Sequence, residues 1–218
     1  AQLCCDSEWE AAYRRFETPQ EEITKFVGRL NAFGAASWPK YDQIVEIFCG
    51  RGNGLKALHQ LGFQRIEGVD LSEKLLLQYD GAAQCYVADC RSLPFENKSR
   101  DLVIVQGGLH HLPVLPDDLD SVLNEVHRVL RPGGRFYAVE PWRTPFLRFV
   151  HFVSDRLLAR RLWDKLDALA VMTEHERTTY EQWLSRGPEI LSLLNHYFDQ
   201  NSSTQTWGKL RYAGVRRG

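Results

Sequence analysis

The stretch DQIVEIFCGRGNG, residues 42–54, determines how the rest of the chain can fold. Its segment 44–48 is a mostly apolar run rich in branched side chains, which is typical of a buried β-strand. Gly50, Gly52 and Gly54 follow, and the next residues have the composition of a helix. A strand, a glycine turn and a helix in this order predict a nucleotide-cofactor site. Glycines let the backbone approach a ligand closely, and the first amides of the helix face it.

A carboxylate at the end of a second strand supports this interpretation. Gly68, Val69 and Asp70 close the second apolar run, and Asp70 lies 20 residues after Gly50. A carboxylate at that spacing is suited to accept hydrogen bonds from ribose hydroxyls. The alternative is an ordinary strand-to-helix turn with an incidental aspartate, and the later motifs favour the cofactor site over it.

The composition is that of a globular protein of one domain. The 218 residues are 44% hydrophobic and 25% charged, and the formal net charge is −1. This charge provides no general attraction to nucleic acid or to an anionic membrane. No run of roughly 18 or more apolar residues predicts a membrane span. Neither nucleic acid nor a membrane is therefore an expected partner.

The cysteines indicate a reducing environment. There are five of them, an odd number, and Cys49 lies inside the glycine turn, which argues against a disulfide framework. A cytoplasmic location is the corresponding expectation. Cys4 and Cys5 are adjacent, but no CxxC spacing and no clustered histidine accompanies them, so no metal site is predicted.

Apolar and amphipathic segments alternate through a predicted core at residues 42–141. The predicted strands are 43–48, 65–69, 85–88, 101–105 and 136–139, and the predicted helices are 53–61, 72–79 and 116–130. Strands that alternate with helices predict an α/β fold, a doubly wound and mostly parallel sheet with helices on both faces.

Residues 1–41 are predicted to form an N-terminal helical cap. Thr18 is suited to cap a helix that begins at Pro19, with Glu21 in its first turn. Three aromatic residues precede this helix, and the pattern leaves open whether they form a flap over the cofactor or pack in the ordinary way. They are Trp9, Tyr13 and Phe16.

The C-terminal part of the chain departs from the alternation. Residues 142–178 carry many large apolar side chains at helical spacing and are predicted to form a helical lid insertion. Within 179–218 a helix is expected first, at 180–196, with a disturbance at Gly187-Pro188. Two strands follow, near 198–206 and 208–216, separated by too few residues for a crossover, so they should pair as an antiparallel hairpin. The complete sheet would then have seven strands.

Four sequence pieces carry a family resemblance. They are EIFCGRG at 46–52, GVDLS at 68–72, ADCRSLPF at 88–95 and RVLRPGG at 128–134. Taken together, in this order and at these separations, they resemble the class I S-adenosylmethionine-dependent methyltransferases, especially the small-molecule, methyltransferase type 11-like branch. The resemblance implies a Rossmann-like fold, S-adenosyl-L-methionine as cofactor, and methyl transfer to a small-molecule acceptor.

The same resemblance implies the residues at the methionine end of the cofactor. Glu46 would approach the amino group of the methionine. Backbone at Cys49 and Gly50 would line the methionine, and Gln106 and Gly107, after the fourth strand, would face the same end of the cofactor.

It also implies the residues around the nucleoside. Asp70 would hold the ribose hydroxyls beside the backbone of Gly52, and Leu71 would lie beneath the adenine ring. Asp89 would accept a hydrogen bond from the adenine amino group, and the amide of Cys90 would meet a ring nitrogen.

One residue departs from the family pattern. Phe48 stands where this family usually has its first glycine, and a phenylalanine there narrows the approach to the cofactor. Methyltransferases of exocyclic amino groups in DNA also have a phenylalanine at this position, but they pair it with Pro-Pro-Tyr after the fourth strand. This chain has QGGLHH at 106–111 instead, so Phe48 does not redirect the prediction to DNA.

His110 and His111 are the candidate catalytic residues. They follow the fourth strand, at the carboxyl edge where open α/β sheets bind ligands. A histidine there is suited to take a proton from a hydroxyl or amine, because its pKa lies near neutrality. The alternative is that one of them packs the following segment. Adjacent side chains are expected to point apart, so at most one should face the acceptor.

Three other functions compete with this prediction. An RNA-modifying methyltransferase would use arginines of the lid and tail, but the lid is only weakly basic. A dinucleotide-binding dehydrogenase fits Asp70, but Gly54 breaks the GxGxxG spacing and the later motifs have no role there. A cofactor-binding module without catalysis is the third alternative.

Overall fold

A computed structural model describes residues 7–154 and 156–218; Cys4 and Cys5 lie outside the described residues. The helices are α1 Ser7–Phe16, α2 Pro19–Ala32, α3 Asn53–Gln60, α4 Glu73–Leu76, α5 Asp117–Val129, α6 Pro145–Ser154, α7 Leu157–Leu162, α8 Asp164–His175, α9 Arg177–Ser185 and α10 Gly187–Tyr197. The strands are β1 Gln43–Ile47, β2 Arg65–Asp70, β3 Gln84–Val87, β4 Arg100–Gln106, β5 Leu130–Pro141, β6 Phe198–Thr206 and β7 Lys209–Arg216.

The strands form one seven-stranded sheet in the order β3-β2-β1-β4-β5-β7-β6. The first five strands are parallel, and β7 is antiparallel to both of its neighbours, β5 and β6. The strand order reverses between β1 and β4, and a doubly wound sheet binds ligands at that switch point. The predicted Rossmann-like sheet and its antiparallel C-terminal hairpin are confirmed.

The side chains of β1 alternate between two apolar layers. Val45 and Ile47 are fully buried on the face that α5 covers. Ile44 is fully buried on the opposite face, in a cluster with Ile23 of α2 and Leu55 of α3. Burial on both faces explains why the strand is apolar at nearly every position, and it makes Glu46 on the same strand conspicuous.

Helix α2 begins as its sequence predicts. The hydroxyl of Thr18 accepts from the amide of Glu21, and the Glu21 carboxylate accepts from the amide of Thr18, which is a complete capping box. Pro19 occupies the first turn, where its missing amide hydrogen leaves no bond unmade. Gly34 follows the end of the helix in the left-handed region.

Two local predictions are wrong in extent. Helix α4 has only one turn and ends at Leu76, well before the predicted end at residue 79. The sequence RPGG at 131–134 is typical of a sharp break, but these residues belong to β5, where Gly133 has a φ of 76° and the register with β4 shifts. The helix predicted at 180–196 is interrupted at Arg186, whose φ and ψ of −106° and 24° separate α9 from α10, in agreement with the disturbance predicted next to it.

The predicted lid region holds α6, α7 and α8 and joins the core through α9. Its helix α8 packs against α1, where Ala12, Ala168 and Met172 form a small cluster of their own. Trp9, Tyr13 and Phe16 surround this cluster, so the N-terminal aromatic residues pack against the lid. None of the helices in the described part of the chain is long and apolar enough to cross a membrane.

Candidate active site

The glycine turn, residues 48–54, brings backbone amides and a carboxylate together. Gly50 and Gly52 have φ angles of 51° and 74°, a region that glycine enters without strain. The carboxylate of Asp70 accepts from the amide of Gly50 at 2.8 Å and from the amide of Ser72 at 2.8 Å. Asp70 therefore fixes the turn after β1 to the turn after β2, and its remaining lone pairs lie at the switch point of the sheet.

Glu46 is a buried carboxylate, and one of its oxygens has no hydrogen-bond partner among the described residues. It is 2% exposed, and its Oε1 accepts from Nε2 of Gln106 at 3.2 Å. Neither Oε2 of Glu46 nor Oε1 of Gln106 has a hydrogen-bond partner among the described residues. A Cβ on Gly54 would lie 2.0 Å from Glu46 Oε1, so the glycine leaves the space that the carboxylate occupies.

Burial and the hydrogen bond from Gln106 together determine the charge state of Glu46. Burial raises the pKa of Glu46 to about 8, and the hydrogen bond from Gln106 offsets only part of that rise. Two buried acceptors on neighbouring side chains, both without a partner among the described residues, are suited to an ammonium group, which would favour the ionised carboxylate. The residues present therefore fit the amino-acid end of S-adenosylmethionine.

Of the residues predicted to contact the nucleoside, Leu71 is exposed, whereas Asp89 is already paired with another side chain. Leu71 is 52% exposed, which leaves an apolar surface next to Asp70. Asp89 binds the Arg91 guanidinium, with Nη2 to Oδ2 at 2.6 Å, and this contact holds its pKa below the usual range. Arg91 also donates to Asp118 at 2.7 Å. The carboxylate predicted to accept from adenine is thus already paired, a constraint that the sequence pattern did not indicate.

Two thiols near the turn are neutral and largely shielded. Cys49 is buried against Cys85, and this contact together with burial raises the pKa of Cys49. Burial also raises the pKa of Cys90 to about 12. Both residues therefore contribute backbone and packing to the site, and neither thiol is a nucleophile at neutral pH.

Phe48 occupies the position where the family usually has its first glycine, and the structure shows how its larger side chain is accommodated. It has a φ of 56°, in the left-handed region that residues with a Cβ rarely enter. Its ring lies over Gly108, where an added Cβ would be 2.3 Å from Cγ of Phe48. The backbone at Phe48 therefore has a conformation that is typical of glycine. Gly108 has no side chain, and this leaves room for the ring of Phe48.

The segment after β4 turns the two histidines toward β5 and the lid. Glu140, at the end of β5, is 1% exposed, and its Oε1 accepts from the amides of Gly108 and Leu109, both at 2.9 Å. Its Oε2 lies 2.7 Å from Nδ1 of His110. Burial opposes ionisation of Glu140, but His110 and the two amides outweigh it and hold the pKa of Glu140 below its usual value.

Both histidines also face a glutamate of the lid. Nε2 of His110 lies 3.7 Å from Oε2 of Glu176, and Nδ1 of His111 lies 3.7 Å from Oε1 of the same residue. Burial lowers the pKa of His110, but the interactions with Glu140 and Glu176 raise it to about 9. We call His110, His111, Glu140 and Glu176 the histidine cluster.

The expectation that the adjacent histidines point apart is wrong. Their ring centroids lie 4.0 Å apart at an interplanar angle of 37°, because a short 3₁₀ turn over Leu109–His111 brings both rings to one side. The His110 side chain is 9% exposed and that of His111 is 20% exposed. His111 is therefore the more accessible of the two.

Two residues of the cluster were absent from the sequence-based site. Glu140 ends β5, the neighbour of β4, and the rule that ligands bind at the carboxyl edge of the sheet could have indicated it. Glu176 lies between α8 and α9, and no motif or spacing marks it. Of the remaining predicted residues, Gln106 donates to Glu46, and a Cβ on Gly107 would lie 4.0 Å from Cε1 of His110, so these two residues lie between Glu46 and the histidine cluster.

Known proteins similar to this chain share both its core and its fold. A family model described as a methyltransferase domain matches residues 45–138. Demethylmenaquinone methyltransferase of Symbiobacterium thermophilum is 30% identical over 122 residues, which are 51% of this chain and 47% of that protein. The 27-O-demethylrifamycin SV methyltransferase of Amycolatopsis mediterranei is 29% identical over 127 residues, which are 54% of this chain and 44% of that protein.

The chain therefore spans about half the length of these curated relatives. Among solved structures, the PH0226 protein of Pyrococcus horikoshii OT3 has a TM-score of 0.71 and 20% identity, with 98% of this chain and 100% of that chain covered. At this identity the likeness concerns the fold, and it extends from the core through the lid region and the C-terminal hairpin.

Proposed function

We propose that the chain is a class I S-adenosylmethionine-dependent methyltransferase that transfers the cofactor's methyl group to a small organic acceptor. The observation that carries this proposal is the pair Glu46 and Gln106. Each holds a buried oxygen without a hydrogen-bond partner among the described residues, at the carboxyl edge of the sheet's switch point.

The cofactor lies, in this proposal, along the carboxyl ends of β1, β2 and β4. Glu46 and Gln106 hold its amino group, and Gly107 leaves room beside them. The carboxylate of Asp70 accepts from the ribose hydroxyls while it keeps its bonds to Gly50 and Ser72.

The adenine ring lies on the exposed side chain of Leu71. The backbone of Cys90 and the carboxylate of Asp89 are at its edge. Asp89 has to serve both the guanidinium of Arg91 and the adenine amino group, and a carboxylate has enough lone pairs to do so.

S-adenosylmethionine supplies an electrophilic methyl group on a sulfonium. A lone pair of the acceptor forms the new bond to that carbon as the bond to sulfur breaks, and the sulfur keeps the electrons. The protein's task is alignment, which is a large part of the catalysis of a displacement. The histidine cluster lies past Gln106 and Gly107, where an acceptor would approach, and His111 is its most exposed basic group.

The acceptor class rests on the lid and on the relatives. The names of two relatives give demethylmenaquinone and a demethylrifamycin as their acceptors, and we carry over the class of small organic molecule and neither compound. The lid supports an acceptor with apolar surface, because Phe146, Phe149 and Phe152 are exposed along α6. We propose that residues 142–178 move over the bound acceptor and form much of its pocket.

Two measurements test this function. Calorimetry should detect binding of S-adenosylhomocysteine and no comparable binding of NAD. A mass-spectrometric screen of a metabolite extract, with cofactor labelled at the methyl group, should then yield a labelled small molecule. Binding of NAD in preference to S-adenosylhomocysteine would contradict the cofactor assignment. Cofactor binding with no labelled product, in extracts with or without RNA, would favour the module without catalysis.

A further inference from the structure

We propose that His110, His111 and Glu176 bind a divalent transition-metal ion. These residues each present one donor atom, and the three donor atoms all lie within 4.8 Å of one another. Two atoms of these residues, Nδ1 of His111 and Oε1 of Glu176, are buried and have no hydrogen-bond partner among the described residues. No metal site is predicted from the sequence, because Glu176 is far from the histidines along the chain.

The separations suit an ion between the donors better than they suit direct contacts. The two His–Glu distances are both 3.7 Å, which is too long for a hydrogen bond. Metal–ligand bonds of about 2.0–2.2 Å at ordinary coordination angles separate donor atoms by roughly 3.0–3.5 Å. A movement of a few tenths of an ångström would bring each His–Glu pair into that range, and a donor separation of up to 4.8 Å would need a shift of about 1 Å for one ion to contact all three residues.

Glu140 gives the cluster a feature that metal-binding histidines share. A ligating histidine usually donates its other ring N–H to a carboxylate, which fixes the ring's orientation and tautomer. Here Oε2 of Glu140 lies 2.7 Å from Nδ1 of His110, and Nε2 is the atom directed at Glu176. The amides of Gly108 and Leu109 hold Glu140 in turn, so the orientation of His110 is fixed by the strand ends.

The charges of the cluster also match a divalent ion. Glu140 and Glu176 place two carboxylates in a largely buried space, and buried charges require compensation. One divalent cation with two neutral histidines balances them. The competing arrangement is a protonated His110 between the two glutamates. Within residues 7–154 and 156–218, that arrangement leaves Nδ1 of His111 and Oε1 of Glu176 without a hydrogen bond, whereas an ion would satisfy both atoms.

The donor set indicates the class of metal and the position of a ligand. Two imidazoles and one carboxylate favour zinc, iron, manganese or cobalt over magnesium and calcium, which prefer oxygen donors. Three protein ligands leave coordination positions open. If the proposed function holds, an oxygen of the acceptor would take one of them, and an ion held by both the post-β4 turn and the lid would link acceptor binding to the lid's position.

The test is a titration of chelator-treated protein with Co²⁺, followed by its visible absorption, and with Zn²⁺ in a calorimeter. We expect one ion per chain. Glu176→Gln should weaken binding by at least about tenfold, and Glu140→Gln by about 10–100-fold, because it orients His110 without touching the ion. Glu181→Gln, an exposed glutamate on α9, is the matched control and should leave affinity unchanged.

Each variant's affinity for S-adenosylhomocysteine and its melting temperature show whether it is folded. Absence of saturable Co²⁺ or Zn²⁺ binding by the unaltered protein, or equal affinity in Glu176→Gln and Glu181→Gln, would overturn the metal site. Metal binding itself does not depend on the proposed function. Protein that binds S-adenosylhomocysteine but no metal refutes this proposal alone, and protein that binds metal but no S-adenosylhomocysteine refutes the methyltransferase function alone.

Discussion

The glycine turn and the histidine cluster lie at the same edge of the sheet but are assembled from the chain in different ways. The two carboxylates beside the glycine turn, Glu46 and Asp70, are 24 residues apart and belong to two consecutive strand–helix units. In the histidine cluster, Glu140 is 30 residues from its partner His110, and Glu176 is 66 residues from it. The first is a local device, and the second requires the finished fold.

This difference is physical as well as topological. The glycine turn relies on backbone amides and on glycines, which let a ligand approach the backbone closely. Both features depend on the residue types within one short segment. The histidine cluster relies on carboxylates whose charge states depend on burial and on one another. A methyl donor of constant shape suits the first arrangement, and an acceptor that varies among enzymes suits the second, because residues in separate segments can change independently.

The largest expected effect is on turnover, in the histidine cluster. His111→Ala should lower kcat by about 10²–10⁴, because it removes a group that serves the acceptor, either directly as a base or as a ligand of the proposed ion. Cofactor affinity should stay within about threefold, since the lost interaction exists only on the acceptor's side. Steady-state kinetics together with calorimetry measure both quantities, and His59→Ala, an exposed histidine on α3, is the control. Normal turnover, or loss of cofactor binding, would mean that His111 does not serve the acceptor.

The corresponding change in the glycine turn should affect binding directly. Asp70→Ala removes a charged acceptor of ribose hydroxyls and should weaken S-adenosylhomocysteine binding by roughly 2–4 kcal/mol. Asp80→Ala, whose side chain is 80% exposed, should leave the affinity as it is. If a natively folded Asp70→Ala protein binds with unchanged affinity, Asp70 does not hold the ribose.

The contact between Phe48 and Gly108 can be tested through protein stability alone, without a measurement of methyl transfer. Gly108→Ala places a Cβ against the ring of Phe48, and overpacking of this kind costs about 1–3 kcal/mol. Denaturant unfolding should show that loss, and the double variant Phe48→Gly with Gly108→Ala should recover most of it. An equal loss in the single and double variants would mean that Gly108 is required for another reason.

The sequence predicts the sheet well because burial on both faces leaves a strong apolar signal in every core strand. It also points to Asp70 through its spacing from Gly50 and to Glu46 through the family resemblance, and the roles of both residues stay predictions. It misses the contacts of Arg91 with Asp89 and Asp118, because polar residues that the fold brings together from separate segments leave no periodic pattern. It misses Glu176 for the same reason, and it separates His110 from His111 because the 3₁₀ turn is not visible in residue types.

The proposed lid should respond to ligand more than the sheet does. Peptides from α6 and α8 should exchange amide hydrogens at least about tenfold more slowly once S-adenosylhomocysteine is bound, if binding favours closure. Peptides from α5, which is buried against the sheet, serve as the reference and should change little. Strong protection of α6 and α8 in both states would mean that residues 142–178 are a fixed part of the core.

The smallest expected effect concerns Glu46 and has opposite signs for stability and for binding. Its pKa in the folded protein is about 8, above the usual value of 4.5. The folded state thus holds a proton that the unfolded state releases between these values, so this contribution to stability falls as pH rises from about 4.5 and is lost above about 8. Glu46→Gln keeps the shape and the hydrogen-bonding capacity without the buried charge.

We therefore expect the cofactor-free Glu46→Gln protein to melt roughly 3 °C above the unaltered protein at about pH 8.5, with a smaller difference at about pH 5.5. Its affinity for S-adenosylhomocysteine should fall, because a neutral amide cannot compensate the cofactor's ammonium group. Glu73→Gln, an exposed change on α4, should alter neither quantity. A Glu46→Gln protein with no pH-dependent gain in melting temperature would show that Glu46 is not strained by burial. Undiminished cofactor affinity would show that its unpaired oxygen does not serve the cofactor, and the glycine turn would then lose its principal charged contact with the methionine end.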